Sequence, residues 1–281
     1  MNLKEALIFA YGVIFATSTP YIKPKKRFLF PTATWKLDQS LTFFLGGSGI
    51  CARLNENGEN LIVNTNLGSA ADQWRADMTA LGGFSGSTLV LNSLNGAFGG
   101  VEEVRALEPS RVFAHADATS EDSEFASIMK DVAITNVEKE LELQVGDETV
   151  LLIPIEGCAT ESDLIVFFKK RSVMMFGALF LNRIHPVLKH GVALRAPKWI
   201  AALEELLAKY DPQICVPGEG EAGSAADVRE FIRYLKSLTD PSVEFSFCRQ
   251  NFDWMEIPRF TSLEENFDIL RRNVKTHTSL R

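Results

Sequence analysis

The side chains best suited to metal binding or nucleophilic catalysis are few in this chain and lie far apart. The histidines are His115, His185, His190 and His277, and the cysteines are Cys51, Cys158, Cys215 and Cys248. No two histidines have the spacing of metal ligands, and the cysteines form no CxxC or Cys/His cluster. Structural zinc and a disulfide framework are therefore not indicated, and we expect buried free thiols.

One glycine-rich segment, residues 218–223, matches the G-x-G-x-x-G pattern of dinucleotide-binding loops. It lies between a predicted strand and a predicted helix, and Asp240 follows about twenty residues later, as that pattern requires. However, Glu219 and Glu221 would place two carboxylates beside the pyrophosphate, and the segment lies near the wrong end of the chain. We interpret it as a loop of the scaffold rather than a nucleotide site.

Apolar and alternating runs bounded by glycines predict strands, and amphipathic stretches between them predict helices. The predicted strands are residues 41–45, 50–54, 60–63, 88–91, 111–114, 140–144, 149–154, 164–168, 173–176 and 213–216. The predicted helices are residues 70–81, 101–107, 121–130, 197–209, 225–238 and 263–273. Two strand-rich halves, each accompanied by helices, predict an α/β (α+β) fold in which two sheets pack face to face with helices outside, a four-layer αββα sandwich.

Composition limits the class of protein further. The chain has 281 residues, of which 46% are hydrophobic, and a formal charge of −7. These values describe a soluble globular protein, and the net acidity argues against nucleic-acid binding. We expect one domain, residues 40–281, preceded by an N-terminal extension, residues 1–39.

The extension contains an apolar run, residues 6–16, and a basic run, residues 23–27. The apolar run is too short for an ordinary membrane-spanning helix but would suit a signal-peptide core or an interfacial helix. Three interpretations stay open: export, organelle targeting by an acid-poor segment, and a helix that packs on the protein or on a partner.

Five further segments form an ordered set along the chain. They are residues 64–66 (Asn-Thr-Asn), 92–100 (Asn-Ser-Leu-Asn-Gly-Ala-Phe-Gly-Gly), 158–163 (Cys-Ala-Thr-Glu-Ser-Asp), 177–178 (Gly-Ala) and 217–220 (Pro-Gly-Glu-Gly). In order and spacing the set resembles the metallo-β-lactamase superfamily, especially its quinoprotein-relay type of zinc metallohydrolase. The family's motifs there are Asp-Thr-Gly, HxHxDH with two glycines, Ala-His-Thr-x-Gly-Asp, Gly-Asp and Pro-Gly-His-Gly. The resemblance covers roughly residues 40–275 and implies that family's αββα sandwich.

The same resemblance implies that the metal ligands have been lost. The positions that would hold them are Asn92, Leu94, Gly96, Ala97, Ala159, Ala178 and Glu219. Only Asn92 and Glu219 carry a side-chain oxygen, whereas zinc takes about four donors, at least three of them from protein. We therefore expect no metal, no cofactor and no catalytic residue. The loss of carboxylates at Gly96 and Ala178 would also let the chain fold without metal.

A rebuilt site is a further hypothesis, because Asn92, Asp163, His185 and Glu219 could all converge on the old cleft. For two of these residues we expect a structural role instead. Asp163 would brace the loop that enters its strand, and His185, which precedes a proline, would make a structural hydrogen bond.

Together these features favour a catalytically inactive protein of metallo-β-lactamase fold, which serves as a structural or interaction subunit of a larger, membrane-associated complex. We expect protein partners, no nucleic acid, and membrane association through residues 6–16. The acid-poor N-terminus favours an organelle such as the mitochondrion, or export through the apolar segment. Two alternatives stay open: a small-molecule binding module that uses the vacated cleft, and a hydrolase with a rebuilt non-zinc site.

Overall fold

The computed structural model describes residues 33–46, 49–65, 69–83, 86–92, 107–119, 133–160, 162–186, 195–254, 263–264 and 266–269. Sheet A has seven strands in the spatial order β1 to β7. They are β1 (Ala33–Lys36), β2 (Leu41–Gly46), β3 (Gly49–Glu56), β4 (Glu59–Val63), β5 (Thr88–Leu91), β6 (Arg111–His115) and β7 (Ile134–Val137). Strands β1 to β4 are antiparallel, whereas β4 to β7 run parallel, so their carboxyl ends meet at one edge of the sheet.

Sheet B has five strands in the order β12-β11-β10-β9-β8. They are β8 (Leu141–Val145), β9 (Glu148–Glu156), β10 (Ser162–Phe168), β11 (Val173–Leu181) and β12 (Ile214–Glu219). The helices are α1 (Ser69–Ala80), α2 (Ala196–Tyr210), α3 (Ala225–Thr239) and α4 (Phe245–Asn251), with one turn of 3₁₀ helix at Ala116–Thr119. Strand β12 pairs parallel to β11 because α2 carries the chain back across the sheet.

Three apolar layers separate four layers of secondary structure. The central layer lies between the sheets and joins Val63 and Val90 of sheet A to Leu164 and Val166 of sheet B. A second layer packs Trp74 and other α1 side chains on the outer face of sheet A. The third packs α2 and α3 on the outer face of sheet B. The predicted αββα sandwich is confirmed.

Every predicted strand is present, and the structure adds two strands and a helix that the sequence patterns did not indicate: β1, β7 and α4. Helices predicted at 101–107 and 121–130 fall almost wholly outside the described residues. Of the helix predicted at 263–273, residues 263–264 and 266–269 are helical. The other three predicted helices correspond to α1, α2 and α3.

The sheet begins inside the segment that the sequence analysis set apart as an extension. Strand β1 pairs with residues 42–45 of β2 through the backbone, so residues 33–36 are part of sheet A. The apolar run 6–16 and the basic run 23–27 lie outside the described residues. No helix in the described part of the chain has the length and apolar character to cross a membrane.

All four cysteines are buried and free, as the sequence predicts. Burial raises the pKa of the Cys158 thiol to about 11. It also raises the pKa of Cys215 to about 12.

Arg171 joins the two sheets at the edge opposite the carboxyl ends of the parallel strands. It lies in the turn between β10 and β11 of sheet B, and its guanidinium donates to Asp38 and Glu56 of sheet A at 2.6 and 2.7 Å. It also donates to Glu148 of sheet B, whose side chain is fully buried. Burial acts to raise the pKa of Asp38, but the bonds from Arg171 and from backbone amides outweigh it and lower that pKa.

Replacing Arg171 by methionine leaves the buried Glu148 carboxylate without its cation, and we expect a loss of about 3 to 5 kcal/mol in the free energy of unfolding. Urea denaturation measures this loss. The double variant Arg171→Met/Glu148→Gln should recover part of it, because the uncompensated charge is gone. Lys209→Met removes an exposed pair with Glu140 and should change little. If Arg171→Met were no worse than Lys209→Met, the proposed sheet-joining role would be wrong.

Candidate functional site

Four separate chain segments meet at the carboxyl-terminal edge of the parallel strands. Asn92 directly follows β5, and its carbonyl oxygen accepts a hydrogen bond from the Leu164 amide at 3.0 Å. A Cβ atom on Gly177 would lie 2.6 Å from Asn92 Oδ1, and one on Gly218 would lie 2.5 Å from the Gly177 carbonyl oxygen. The positions of Asn92, Ala178 and Glu219 are therefore neighbours.

The loop that contains Ala159 borders the same edge, because it leads into Asp163 and Leu164. Four of the seven positions inferred from the family resemblance are thus brought to one region. Leu94, Gly96 and Ala97 lie outside the described residues.

The Asn92 side chain makes hydrogen bonds to residues of both sheets. Its Nδ2 donates to the carbonyl oxygens of Leu164 at 2.6 Å and Met175 at 3.3 Å, both in sheet B. Its Oδ1 accepts from Asn64 Nδ2 at 3.3 Å, and its backbone amide donates to Asn64 Oδ1 at 2.8 Å. Asn92 and Asn64 are each 1% exposed. We call this set of hydrogen bonds the amide network.

Asn64 lies where the resemblance implies the family's early aspartate. It directly follows β4 and has a left-handed conformation, with φ at 60°, which asparagine adopts more readily than most residues. Its amide accepts from and donates to Asn92, so two uncharged side chains satisfy each other in a buried position. A carboxylate at this position would need a cation for the same burial.

The described residues at these positions, Asn92, Ala159, Ala178 and Glu219, do not make up the ligand set of a metal ion. An amide nitrogen has no lone pair to offer, and the neutral Asn92 oxygen, which accepts one hydrogen bond from Asn64, could be at most a single weak donor. Ala159 and Ala178 carry only methyl groups. Among the residues that the structure describes, no three histidine, cysteine or acidic side chains are grouped so that they could hold a metal.

Asp163 has the bracing role that the sequence predicts. It is fully buried, and its two carboxylate oxygens accept from the backbone amide and the hydroxyl of Thr160 at 2.9 and 2.8 Å. The Thr160 hydroxyl in turn accepts a hydrogen bond from the Ser162 amide. These bonds fix the turn before β10, so Asp163 is held as a structural residue.

His185 lies in the core beside α3 and contacts residues different from those of the Asn92 site. Its Nδ1 is 3.0 Å from the Tyr234 hydroxyl, and the hydroxyl of Tyr234 also accepts from Asn266 Nδ2 at 3.0 Å. Burial lowers the pKa of His185 to about 4, against a smaller opposing effect of Asp253. A structural hydrogen bond, as the sequence suggests, is its observed role.

The glycine-rich segment 218–223 folds back on its own strand. Cys215 and Gly223 exchange two backbone hydrogen bonds of 2.9 Å, which closes the loop. The Asp227 carboxylate accepts from the Ser224 amide at 2.9 Å, and Ser224 Oγ accepts from the amide of Ala226. The amino end of α3 is therefore capped by its own side chains, and an incoming phosphate would compete with a carboxylate for these donors.

His115 is a buried imidazole at this edge to which the sequence patterns assigned no role. It is the last residue of β6. Because Leu91 of β5 pairs with Ala114, the next residues, Asn92 and His115, lie beside each other. Side chains alternate between the two faces of a strand, so both residues face sheet B. Its Nδ1 accepts from the Asp117 amide at 3.1 Å, which leaves the ring proton on Nε2. Nε2 is buried with no partner among the described residues. The signal that could have identified His115 as a site residue is its position at the end of a strand, beside the strand that Asn92 follows.

We expect Gly177→Ala to destabilise the protein by disrupting the amide network. The new methyl group would lie 2.6 Å from Asn92 Oδ1, and the backbone there has φ at +56°. The matched control is Gly58→Ala, whose backbone also has positive φ, at +85°, but where a Cβ meets nothing within 4 Å. The clash should make Gly177→Ala worse than the control by about 1 to 3 kcal/mol in urea denaturation.

A double-mutant cycle separates this contact from backbone strain. Asn92→Ala removes the oxygen that the new methyl group would meet, so the extra cost of Gly177→Ala over Gly58→Ala should disappear in that background. If Gly177→Ala destabilised the protein beyond Gly58→Ala by the same amount with and without the Asn92 side chain, the amide network would not be the reason for glycine at position 177.

We also expect the stability of the protein to fall as the pH is lowered from about 6.5 to about 4, in part because of His185. Above that range the imidazole is neutral in both states, and within it only the unfolded chain takes up a proton. The contribution is on the order of 3 kcal/mol. His185→Gln should lack it, whereas the contribution of His115, whose pKa burial also lowers, stays in both proteins. Urea denaturation across this pH range tests the difference, and identical pH dependence in both proteins would refute it.

Three solved structures illustrate what this fold is similar to. A metallo-β-lactamase from Pontibacter korlensis is 13% identical, with a TM-score of 0.59 over 73% of this chain and 99% of that chain. The DIM-1 metallo-β-lactamase is 14% identical, with a TM-score of 0.56 over 73% of this chain and 97% of that one. A double mutant of the sec-alkyl sulfatase PisA1 is 10% identical, with a TM-score of 0.60, and this chain spans 54% of its length.

No protein-family model matches the chain, and no curated protein matches it either. Similarity at these identities concerns the fold alone. The mixed α/β architecture with two sheets and outer helices is consistent with the fold of those neighbours. The chain has the metallo-β-lactamase fold.

Proposed function

We propose that this protein is a catalytically inactive member of the metallo-β-lactamase fold that acts as a structural or interaction subunit of a larger complex. The observation that carries the proposal is the amide network. The family resemblance assigns the position of Asn92 to a metal-binding histidine. The Asn92 side chain instead donates hydrogen bonds to the Leu164 and Met175 carbonyls. That position stabilises the sheets instead of holding a reactive group.

The electrostatics of the region support the same proposal. A hydrolytic zinc site lowers the pKa of a bound water to near 7, and without such an ion water remains a poor nucleophile at neutral pH. Asn64 and Asn92 are uncharged, Asp163 is occupied by Thr160, and Ala159 and Ala178 offer no donors. These residues give no group that would activate water.

The interaction half of the proposal places the functional surfaces outside the cleft. The apolar run 6–16 and the basic run 23–27 would attach the protein to its assembly and bring it to a membrane surface. Protein partners are the class that suits a chain with net charge −7, since nucleic acid would be repelled.

Zinc titration and hydrolysis assays test the inactive state together. We expect calorimetry to detect no saturable zinc binding tighter than about 100 μM, and nitrocefin and p-nitrophenyl ester hydrolysis at the buffer rate. Glu219→Ala should change neither result. Stoichiometric zinc with sub-micromolar affinity, or hydrolysis that disappears in Glu219→Ala, would overturn the proposal.

The interaction role is tested by the size of the native particle. Full-length protein in a native extract should elute in gel filtration well above the size of the purified 31.2 kDa chain, with the same proteins recovered after crosslinking in replicate preparations. Elution at the size of the purified chain, with no crosslinked protein, would contradict a subunit role.

A further inference from the structure

Arg53 of β3 is a buried arginine on the outer face of sheet A. The residue is only 7% exposed. Its strand neighbours Ala52 and Leu54 pack in the central layer between the sheets, whereas Cys51 packs in the layer on the other side of sheet A. Because side chains alternate along a strand, Arg53 shares the outer face with Cys51 and points away from sheet B.

The guanidinium of Arg53 forms no hydrogen bond or ion pair with any residue in the described part of the chain. Its Nε is shielded from solvent and has no partner, whereas the two terminal nitrogens still reach the surface. Burial lowers the pKa of Arg53, and no described carboxylate acts against that effect. Arginine stays charged at neutral pH, so the protein buries a cation that its described residues do not neutralise.

Arg171 shows how this chain compensates a comparable group. Its side chain is 12% exposed and pairs with three carboxylates, those of Asp38, Glu56 and Glu148. A buried charge without a partner is costly. For Arg53 that partner is missing among the described residues, and a bound anion would supply it.

Two further donors lie in line with Arg53 across the strands. The register pairs Arg53 with Thr42 of β2 and Thr42 with Lys36 of β1, so all three share the outer face. We call these three residues the basic row. Thr42 is 4% exposed, and Lys36 is exposed at the edge of the sheet. Neighbouring strands lie about 5 Å apart, so a group seated over Thr42 is within reach of both flanking cations.

No carboxylate shares the outer face of the described strands β1 to β4. The other residues that alternation turns to this face are Thr34, Phe44, Cys51, Asn55, Asn60 and Ile62. Asn55 and Asn60 satisfy each other with a hydrogen bond of 2.7 Å. The basic row therefore offers two positive charges and one hydroxyl to a ligand, and no acid of these strands repels an anion there.

We propose that the basic row binds a phosphate group, with the Arg53 fork on two of its oxygens, the Thr42 hydroxyl on a third and Lys36 beside it at the edge of the sheet. A phosphate monoester carries about 1.5 to 2 negative charges at neutral pH, which matches two cations. A carboxylate has one charge and two oxygens, which the guanidinium fork alone would occupy. Soluble phosphate esters and lipid headgroups share this chemistry. The row lies on the outer face of β1 to β3, so the site does not depend on whether the protein is catalytically inactive.

Urea denaturation of the full-length protein in inorganic phosphate tests the site directly. A ligand that binds only the folded state raises the urea midpoint. We expect sodium phosphate at about 10 mM to raise the midpoint above its value in sodium chloride or sodium acetate of equal ionic strength. Arg53→Met should weaken phosphate binding about tenfold or more, and Thr42→Val should weaken it less, because the charged fork remains.

The same variant separates a ligand site from a purely structural arginine. In phosphate-free buffer Arg53→Met should unfold at the urea midpoint of the natural chain or above it, because it removes a buried charge that has no partner. A structural arginine would give a lower midpoint, as we expect for Arg171→Met. The matched control is Arg249→Met, which makes the same charge change at an exposed position of α4 and should leave the phosphate effect intact.

Vesicles distinguish the two sources of phosphate. The natural chain and Arg53→Met are sedimented with phosphatidylcholine vesicles that contain or lack phosphatidic acid, whose headgroup is a phosphate monoester. Binding to phosphatidic acid that Arg53→Met loses would assign the site to a lipid headgroup. A phosphate-dependent rise in the urea midpoint without such binding would assign it to a soluble phosphate. The basic run 23–27 is the same in both proteins, so their difference reports the basic row.

Three results would each overturn the proposal. They are an equal phosphate effect in the natural chain and Arg53→Met, an equal rise in sodium acetate, and a lower midpoint of Arg53→Met in phosphate-free buffer. None of them bears on zinc binding, hydrolysis or the size of the native particle, so failure of the phosphate site is distinguishable from failure of the proposed function.

Discussion

The hydrogen bonds from Asn92 to the carbonyls of Leu164 and Met175 join the two sheets at the carboxyl-terminal edge of the parallel strands. Each buried polar group left without a partner would cost about 1 to 3 kcal/mol. Asn92 therefore needs the hydrogen bonds with Asn64, and it needs glycine at position 177, where a side chain would displace its amide. At the opposite edge Arg171 joins the same sheets through three carboxylates. Between these two connections lies the apolar core that the two sheets share.

A metal-dependent hydrolase solves the same packing problem differently. Its cleft must keep several imidazoles and carboxylates pointed at one place, and the ion compensates their desolvation. In this chain the corresponding positions that the structure describes hold an amide, two methyl groups and one half-buried carboxylate. These four side chains include only one carboxylate, so they need no ion to offset a group of buried charges.

Sequence patterns predicted the layers well because burial has a strong periodic signature. Strand β10 is buried on every residue, and its continuous apolar run from Leu164 to Phe168, five residues long and rich in β-branched and aromatic side chains, is typical of a strand between two covered faces. Strand β1 was missed because it is four residues long, half-exposed, and held by backbone pairing to β2 rather than by a pattern of its own. At the site, the type of each residue suggested loss of metal chemistry. The contact of Asn92 with Gly177, separated by 85 positions in sequence, depends on how two sheets face each other, and no local spacing encodes it.

The burial of all four cysteines has a consequence for the redox chemistry of the folded domain. Thiols must reach the surface as thiolates before they exchange with glutathione or join another chain, and packing opposes both steps for Cys158 and Cys215. The folded domain is thus insensitive to whether its surroundings are reducing or oxidising.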